Sequence, residues 1–363
     1  TMADKYANET AEDFSSRLFG FISGGFTGLS IALGVKSGLF AVLVDHHDKP
    51  LTSQELADAA GLKERYVREW LGVMTTAYIV DLDPVTERYH LPTHRVDSFR
   101  SGTMAGQGAD CSIGIPIISE VFNKMLEVVK KDGPRGLTFS MTPNYHEFND
   151  SYGLPWFNHC FLQEFIPSQP EIKARLERGI RMLDVGCGRG AAMKMLAQSF
   201  PNSHFVGLDI DQCNVDWAYK DVATLGLKNL EYVCADASAM PNDWTSTFDY
   251  VFFFNLLHDT PRPDLIIDDV KRVMKKDGIM SVIELYAESK HADNLGDPNA
   301  SFIYTDSLFY CLPMSNNHPG SMALGAMWGK DSIKKFLEGK GFKVKAVSTL
   351  PMMPQLHFLS ELM

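Results

Sequence analysis

The strongest chemical pattern in the sequence is a glycine-rich turn between a strand-like run and a helix-like run. Arg181–Val185 has the apolar character of a buried strand, and Ala191–Ser199 has the character of a helix. Gly186, Gly188 and Gly190 stand between them. Glycine allows the backbone to turn tightly off a strand and to approach a ligand closely beside a helix N-terminus. The pattern therefore predicts a ligand-binding turn.

Two acidic residues accompany this turn. Asp184 stands at the end of the first strand-like run, where its carboxylate can receive a cationic amino group. Asp209 ends the next run, nineteen residues after Gly190, and its carboxylate can accept hydrogen bonds from both ribose hydroxyls. The glycine spacing is G-x-G-x-G, whereas a dinucleotide-binding turn has G-x-G-x-x-G to cradle a pyrophosphate. The pattern favours a ligand with one nucleoside and an amino-acid tail.

An acidic residue followed by G-x-G-x-G resembles the first motif of the class I S-adenosylmethionine-dependent methyltransferases. The resemblance continues at Cys234-Ala235-Asp236-Ala237, where it implies that Asp236 contacts the adenine amine; taken alone, Asp236 fits a helix N-cap equally well. Phe148-Asn149 resembles the segment that closes over the sulfonium. The resemblance implies S-adenosyl-L-methionine as cofactor and S-adenosyl-L-homocysteine as product. The cofactor-binding residues that it implies are Asp184, Gly186, Gly188, Gly190, Asp209, Ile210, Asp236, Ala237, Asn255 and Phe148.

A narrower resemblance lies in the run from Asp249 to Asp259. It is similar to the strand-four motif of small-molecule O-methyltransferases that dimerise through an N-terminal winged helix, and it implies that His258 is the general base. The same resemblance implies that Glu284 and Asp331 are carboxylates that support this histidine. Thr260 stands where the family usually has tryptophan, and His258 as a core or capping residue stays an alternative. A thiol acceptor is more acidic than a hydroxyl and needs little or no base.

Candidate acceptor-binding residues are mostly aromatic side chains in segments that a parallel sheet could bring over its fourth and fifth strands. Ordinary core packing is an equally good explanation for each of them singly. These residues are Tyr145, His146, Trp156, Phe254, Tyr304, Tyr310 and Trp328.

The C-terminal half alternates strand-like and helix-like runs, which predicts an α/β doubly wound, Rossmann-like sheet with its ligand at the carboxyl ends of the strands. We assign residues 171–363 to this cofactor-binding catalytic domain and residues 106–170 to a helical connector and lid. The predicted strands are Arg181–Val185, His204–Leu208, Leu230–Val233, Tyr250–Phe254 and Ile279–Ile283. A closing hairpin is predicted from Lys343–Ser348 and Leu356–Leu359.

The N-terminal third, residues 1–105, is mainly helical and has a winged-helix pattern. Thr52 and Glu55 form a capping-box signature at the start of a helix that ends at Gly61. A second helix follows, with apolar positions from Tyr66 to Met74, and Ile79–Leu82 and Tyr89–Leu91 then read as a two-stranded wing. Helix, turn, helix and wing together predict a winged helix.

Charge argues against DNA as the partner of this domain. Residues 1–100 contain ten Lys or Arg and fourteen Asp or Glu, a net charge of −4, and the whole chain has a net charge of −11. A DNA-binding module is expected to be basic. We therefore predict a homodimerisation domain, and neither nucleic acid nor membrane as a partner.

Three further expectations concern packing. The apolar stretch Phe19–Leu43 is interrupted by glycines and Lys36, which predicts a buried helix pair in place of a membrane span. Ile115–Lys130 is predicted to be one amphipathic helix. The aromatic-rich segment Thr142–Phe165 is predicted to be mostly core.

The six cysteines stand singly, without a C-x-x-C pair, which predicts free thiols in a reducing compartment and no zinc site. The N-terminal residues have no basic flank followed by an apolar run, so the sequence predicts a cytoplasmic protein. We also predict that no metal is bound, because no His/Cys ligand cluster is visible.

Three functions remain to be compared. The first is a methyltransferase that acts on an oxygen or sulfur of a small molecule. The second is a DNA-binding regulator with a cofactor-sensing domain, which the acidic charge disfavours. The third is a nicotinamide-dependent oxidoreductase, which the glycine spacing disfavours. The first agrees with the largest number of residues.

Overall fold

The computed structural model describes residues 6–363 and divides into two compact units. One unit comprises the chain up to Val121 together with Thr142–Trp156, and the other comprises Phe122–Met141 and Phe157–Met363. This division differs from the three predicted domains. The predicted connector, residues 106–170, is shared between the two units and forms no unit of its own.

The helices vary from three residues to 26 and are numbered in chain order. They are α1 (Ala11–Lys36), α2 (Leu39–Asp45), α3 (Ser53–Ala60), α4 (Glu64–Thr76), α5 (Thr93–Val96), α6 (Gln107–Asp110), α7 (Gly114–Ser119), α8 (Phe122–Val128), α9 (Tyr145–Trp156), α10 (Ile166–Ser168), α11 (Pro170–Arg178), α12 (Ala191–Ser199), α13 (Gln212–Val222), α14 (Pro263–Val273), α15 (Ala300–Asp306), α16 (Leu312–Ser315) and α17 (Lys330–Gly339). Two π-helical turns lie at Phe157–Phe165 and Ser307–Cys311.

The strands are short in the first unit and longer in the second. They are β1 (Asp81–Asp83), β2 (Arg88–His90), β3 (Arg181–Val185), β4 (His204–Asp209), β5 (Leu230–Cys234), β6 (Phe248–Phe254), β7 (Met274–Leu285), β8 (Phe342–Thr349) and β9 (Gln355–Leu362).

The first unit contains the predicted winged helix. Thr52 caps α3 with the predicted capping box, and Gly61 ends the helix in the left-handed region, with φ +67°. Trp70 and Leu71 of α4 are buried in the core of the unit, while Tyr66, which the sequence placed among the apolar positions, is 73% exposed. β1 and β2 pair antiparallel as the wing.

The predicted buried helix pair is confirmed for α2, which buries four of its apolar residues, and is contradicted by α1. The buried residues of α1 are Ala32 and Gly34, and the large apolar side chains before them are exposed within the unit, including Phe19 at 72% and Phe26 at 71%. The helix is long and apolar enough to cross a membrane by length and composition, with 11% of its most apolar window buried. The prediction failed for α1 because hydropathy reports apolar character and does not report what covers it.

The single helix predicted over Ile115–Lys130 is also wrong. The structure has α7 and α8 in its place, and the two compact units divide the chain between them, at Val121 and Phe122. In the aromatic segment that follows, Trp156, Phe161 and Phe165 are buried, as predicted.

The second unit is built on a seven-stranded sheet with the order β5-β4-β3-β6-β7-β9-β8. β3 to β7 are parallel, and β9 joins β7 antiparallel with β8 at the edge, so the predicted hairpin extends the sheet. The chain moves outward from β3 to β4 and β5 and then returns to the other side of β3 at β6. Ligands of open α/β sheets bind at such a switch point, beyond the carboxyl ends of the strands.

The hydrophobic core on one face of this sheet fixes which side chains are left at its carboxyl edge. Leu183, Val251, Phe253 and Val282 are fully buried in one cluster with the inward side of α14 and α17. Asp184 and Phe252 pair across β3 and β6 and lie on the opposite face, because side chains alternate along a strand.

Candidate active site

The glycine turn after β3 has the backbone conformation that its sequence predicts. Gly186, Gly188 and Gly190 have φ angles of +74°, +53° and +76°, which disfavour side chains with a Cβ atom. A methyl group on Gly190 would overlap the Tyr232 ring, and one on Gly186 would lie 2.6 Å from Leu256. A methyl group on Gly188 would meet nothing within 4 Å. The turn is therefore packed on two sides and open at Gly188.

Asp184, at the end of β3, has a buried and partly unpaired acidic side chain. It is 4% exposed, and its Oδ1 is buried without a hydrogen-bond partner among residues 6–363. Burial, and secondarily the charge of Asp209, raises the pKa of Asp184 to about 8. An unpaired buried carboxylate is costly, so a cationic group beside it would relieve that cost.

Asp209, at the end of β4, connects the glycine turn to the next helix. Its Oδ2 accepts a hydrogen bond from the Gly188 N–H at 2.8 Å. Its Oδ1 accepts hydrogen bonds from the Asp211 N–H at 2.9 Å and from Asn214 at 3.3 Å. Burial raises the pKa of Asp209 despite these hydrogen bonds. Asp184 and Asp209 are thus brought to one end of the sheet, as predicted.

The other predicted cofactor residues of the second unit lie around the same strand ends. Ile210 follows Asp209 directly and is 57% exposed. Asp236 is exposed, and its Oδ1 accepts hydrogen bonds from the backbone and hydroxyl of Ser238, the local turn that its capping alternative describes. Ala237 is buried against the sheet core.

Asn255 turns the chain at the carboxyl end of β6 in a conformation that favours glycine. Its φ is +52°, and its N–H donates to the Ile283 carbonyl at 2.8 Å. In the described part of the chain, its buried Oδ1 has no hydrogen-bond partner. A left-handed backbone and an unpaired buried polar atom are features that cluster at functional sites, and the cofactor-binding role of Asn255 stays a prediction.

His258 and Glu284 meet, as the sequence resemblance implies. The His258 imidazole is 2% exposed, and its Nδ1 is hydrogen-bonded to Glu284 Oε2, while Glu284 Oε1 accepts the Leu257 N–H at 2.9 Å. Burial alone would lower the pKa of His258. The charges of Asp259 and Glu284, and the hydrogen bond to Glu284, outweigh burial and raise this pKa to about 9.

The second nitrogen of His258 faces Asp259, a contact that sequence analysis missed. Nε2 lies 3.3 Å from Asp259 Oδ1. Cys311, in the π-helical turn after α15, lies beside them. The atoms of His258, Asp259 and Cys311 that could bind a metal ion are all within 4.8 Å of one another. Burial, and then the charge of Asp259, raises the pKa of the Cys311 thiol well above its usual range. No spacing in the sequence signals a partner 52 residues away.

Asp331 does not accompany this pair. It is exposed in the first turn of α17, and its N–H donates to Ser289 Oγ at 2.9 Å. Within residues 6–363 the ion-pair partners of His258 are Glu284 and Asp259, so the predicted supporting role of Asp331 is wrong. Its position at a helix start agrees with the ordinary preference for acidic residues there.

The acceptor candidates of the second unit have different environments. Phe254 is half-buried at the end of β6, with its ring 4.8 Å from that of Phe157. Tyr310 is 6% exposed in the π-helical turn, and its pKa is raised by burial and then by Asp259. Tyr304 contacts His291, and Trp328 packs on Phe336 of α17. The effect of Asp259 on the pKa of Tyr310 connects this tyrosine to the His258 cluster.

The remaining candidates, Tyr145, His146, Phe148 and Trp156, lie in α9 of the first unit. Tyr145, Phe148 and Trp156 are buried, and His146 is half-buried. The Phe148 ring packs edge-on against Tyr145 and directly over Gly114. These contacts are core packing within the first unit, and the ligand roles of the four residues stay predictions.

Two family profiles match the chain. Residues 25–100 match a profile described as an Rv2258c-like winged helix-turn-helix domain. Residues 176–338 match a profile described as a methyltransferase domain. The first match contains the winged helix, and the second contains the glycine turn, Asp209, His258 and Glu284.

Known proteins and solved structures agree with these profiles. A probable (S)-tetrahydroprotoberberine N-methyltransferase of Papaver bracteatum is 27% identical over 110 residues, which cover 30% of this chain and 30% of that protein. The chain therefore spans less than a third of the length of this relative. The mitomycin 7-O-methyltransferase MmcR has a TM-score of 0.70 at 17% identity over the whole of both chains. An O-methyltransferase of neocarzinostatin biosynthesis, solved with S-adenosylmethionine and a naphthoic acid, has a TM-score of 0.59 at 14% identity, covering 93% of this chain and 96% of that one.

Proposed function

We propose that this chain, which belongs to the class I S-adenosylmethionine-dependent methyltransferases with an N-terminal winged-helix domain, transfers a methyl group from that cofactor to a small-molecule acceptor. The observation that carries the proposal is the Asp184 carboxylate, which has an unpaired buried oxygen among the described residues and precedes by two residues a glycine turn that is open at Gly188. A ligand with an ammonium group and a nucleoside satisfies both features at once.

Different residues of the second unit would bind different parts of the cofactor. Asp184 would hold the amino group, the turn from Gly186 to Gly190 would pass beneath the amino-acid tail, and Asp209 would accept the ribose hydroxyls. Ile210 would cover one face of the adenine, and Asp236 and Ala237 would contact its edge. When bound, the cofactor supplies a methyl carbon already activated by the sulfonium, so the protein aligns the two reactants and excludes water.

For the acceptor, the sequence resemblance predicts an oxygen, with His258 as base and Glu284 as its support, or a sulfur that needs no strong base. His258 and Glu284 are in contact, but the second ring nitrogen of His258 faces Asp259, so the base role of His258 stays a prediction. Phe254, Tyr304, Tyr310 and Trp328 stay candidates for the acceptor side.

The cofactor assignment is tested by thermal unfolding with saturating S-adenosyl-L-homocysteine. A ligand at about 100 times its Kd stabilises the native state by roughly 2.7 kcal/mol, so we expect a clear rise in Tm. NAD at the same concentration should leave the Tm unchanged, and Asp209→Ala should abolish the response to S-adenosyl-L-homocysteine. A response to NAD alone, or to neither compound, would refute the proposal.

We also propose that the protein is a cytoplasmic homodimer that associates through α1 and does not bind DNA. Gly20 and Gly24 lie one turn apart on α1, and a methyl group on either would meet nothing within 4 Å, so a second helix could approach closely there. The acidic first turn of α1 disfavours an anionic membrane. In α4, the usual DNA-reading helix, Arg65 and Arg68 form ion pairs with Glu69 and Glu64.

Light scattering tests the dimer. We expect twice the 40.5 kDa chain mass for the wild type and the single-chain mass for a Phe19→Glu, Phe26→Glu double variant. Val85→Glu, at an 87% exposed position of the wing, is the matched control and should stay dimeric. A monomeric wild type, or a monomer that binds neutral lipid vesicles through α1, would contradict the proposal.

A further inference from the structure

The side chains around His258 limit which chemical group of an acceptor can be methylated at this site. Both ring nitrogens face carboxylates: Nδ1 is hydrogen-bonded to Glu284, and Nε2 lies 3.3 Å from Asp259 Oδ1. A general base needs a ring nitrogen within hydrogen-bond reach of the proton that it removes. With the ring 2% exposed between two acids, His258 is held as an imidazolium and has no nitrogen directed at an acceptor. A hydroxyl acceptor therefore lacks its base at this position.

The charges at the carboxyl edge of the sheet also matter for an acceptor. Asp184, Asp209, Asp259 and Glu284 end or follow four of its parallel strands, and each has a buried or half-buried side chain. Among residues 6–363, the one cation that forms an ion pair with any of these four carboxylates is His258. Asp306, at the end of α15, adds its charge to the same cluster.

This excess of carboxylates opposes an anionic acceptor. Buried like charges repel strongly, because the interior does not screen them as water does. The repulsion is visible at Asp184, whose protonated form is favoured by burial and by the neighbouring Asp209 charge. With Asp184 paired to the cofactor's ammonium, a thiolate or a carboxylate would still add a negative charge to Asp259, Glu284 and Asp306 around His258, whereas a positive charge would balance them.

We propose, on the basis of the methyltransferase function above, that the acceptor is a secondary or tertiary amine. The amine lone pair forms the new C–N bond while the C–S bond of the sulfonium breaks and its electron pair stays on sulfur. The positive charge passes from sulfur to nitrogen, where Asp259 and its neighbours stabilise it. At neutral pH such an amine is mostly protonated, and it loses that proton to water before its lone pair reacts. The ammonium formed from a secondary amine loses a further proton to water after release, so water takes up each proton and no base of the protein is required.

Two buried oxygen atoms near this edge give the proposal an independent basis. Asp259 Oδ1 and Asn255 Oδ1 are both buried, and neither has a hydrogen-bond partner within the described residues. Asn255 Oδ1 is an acceptor without a donor, and Asp259 Oδ1 faces His258 Nε2 at 3.3 Å without forming a hydrogen bond of good geometry. A protonated amine supplies an N–H donor and a positive charge to such atoms, and a methylated ammonium supplies the charge. They lie on the loop between β6 and α14, beside the strand that carries the glycine turn.

The test compares ligands that share one benzyl scaffold on the protein saturated with S-adenosyl-L-homocysteine. The probes are benzyltrimethylammonium, phenylacetate and benzyl alcohol, and their affinities are measured by calorimetry. We expect the ammonium to bind at least about tenfold more tightly than the other two. Asp259→Asn should remove this preference, and Asp243→Asn, an equal charge change at an exposed site of the same unit, should keep it.

Turnover of labelled S-adenosylmethionine gives the second readout. With N-methylbenzylamine as the acceptor, we expect a labelled N-methylated product. With benzyl alcohol, benzyl mercaptan or phenylacetate as the acceptor, we expect no labelled product. Equal or weaker binding of the ammonium probe, no binding of any probe, or methylation of the alcohol, thiol or acid in place of the amine would overturn the amine proposal. Failure of S-adenosyl-L-homocysteine to bind at all would instead refute the methyltransferase function, so the two failures are distinguishable.

Discussion

Replacing Glu284 with alanine is expected to destabilise the second unit by about 3–5 kcal/mol, the usual cost of removing one partner of a buried ion pair. Glu284 is 2% exposed and satisfies both the His258 imidazole and the Leu257 N–H. The alanine variant would leave a buried imidazolium and a buried backbone donor with one partner fewer. Urea unfolding followed by circular dichroism measures the loss.

Two further variants define the origin of this loss. Glu284→Gln keeps an oxygen for the Leu257 N–H and removes the charge, so we expect a smaller destabilisation than with alanine. Glu338→Ala, on the exposed side of α17, is the control and should change the unfolding free energy by no more than about 0.5 kcal/mol. If Glu284→Ala were as mild as Glu338→Ala, the ion pair would not hold the carboxyl edge of the sheet as described.

The affinity for S-adenosyl-L-homocysteine is expected to rise about tenfold between pH 6 and pH 7 and to level off above pH 8. The pKa of Asp184 is about 8, so at pH 6 and 7 the ligand-free protein holds this side chain mostly in the protonated form. The ligand's ammonium needs the carboxylate, and apparent affinity is proportional to the fraction of protein that is competent to bind. Calorimetry at several pH values measures the slope.

Asp184→Asn is the control for this slope, because it should bind S-adenosyl-L-homocysteine weakly and without pH dependence in the same range.

The stability of the ligand-free wild type should fall with rising pH, whereas its affinity for S-adenosyl-L-homocysteine rises. Between about pH 4 and pH 8 the folded protein binds a proton at Asp184 that the unfolded chain does not, so this residue reduces stability progressively as pH rises through that window. We expect the ligand-free asparagine variant to melt above the wild type at pH 7.5. A flat wild-type affinity would contradict the role of Asp184.

The sheet and its glycine turn were predictable because their signals are local. The strand Arg181–Val185 and the helix Ala191–Ser199 have the predicted bounds, since apolar runs and glycines specify them within a few residues. The capping box at Thr52 is equally local. Asp184 and Asp209 could be placed at one edge because parallel strands bring their carboxyl ends together.

The errors concern features that depend on distant parts of the chain. The exposure of α1 depends on what covers it, and no periodicity carries that information. Cys311 meets Asp259 through a π-helical turn that sequence spacing does not indicate. Asp331 stands near the expected place in sequence but lies in the first turn of α17 without a contact to His258 in the described residues. Site chemistry was thus harder to predict than site location.

The position of β9 also has a consequence for how the protein is made. β9 is the last strand in the sequence, yet it lies between β7 and β8 and hydrogen-bonds to both. During synthesis, β7 and β8 leave the ribosome before the strand that joins them, so each presents an open edge to other chains until β9 arrives. Translation that stops before Gln355 therefore leaves β7 as an open edge of the parallel sheet and β8 without a partner strand, a form prone to aggregation and a natural target for quality control.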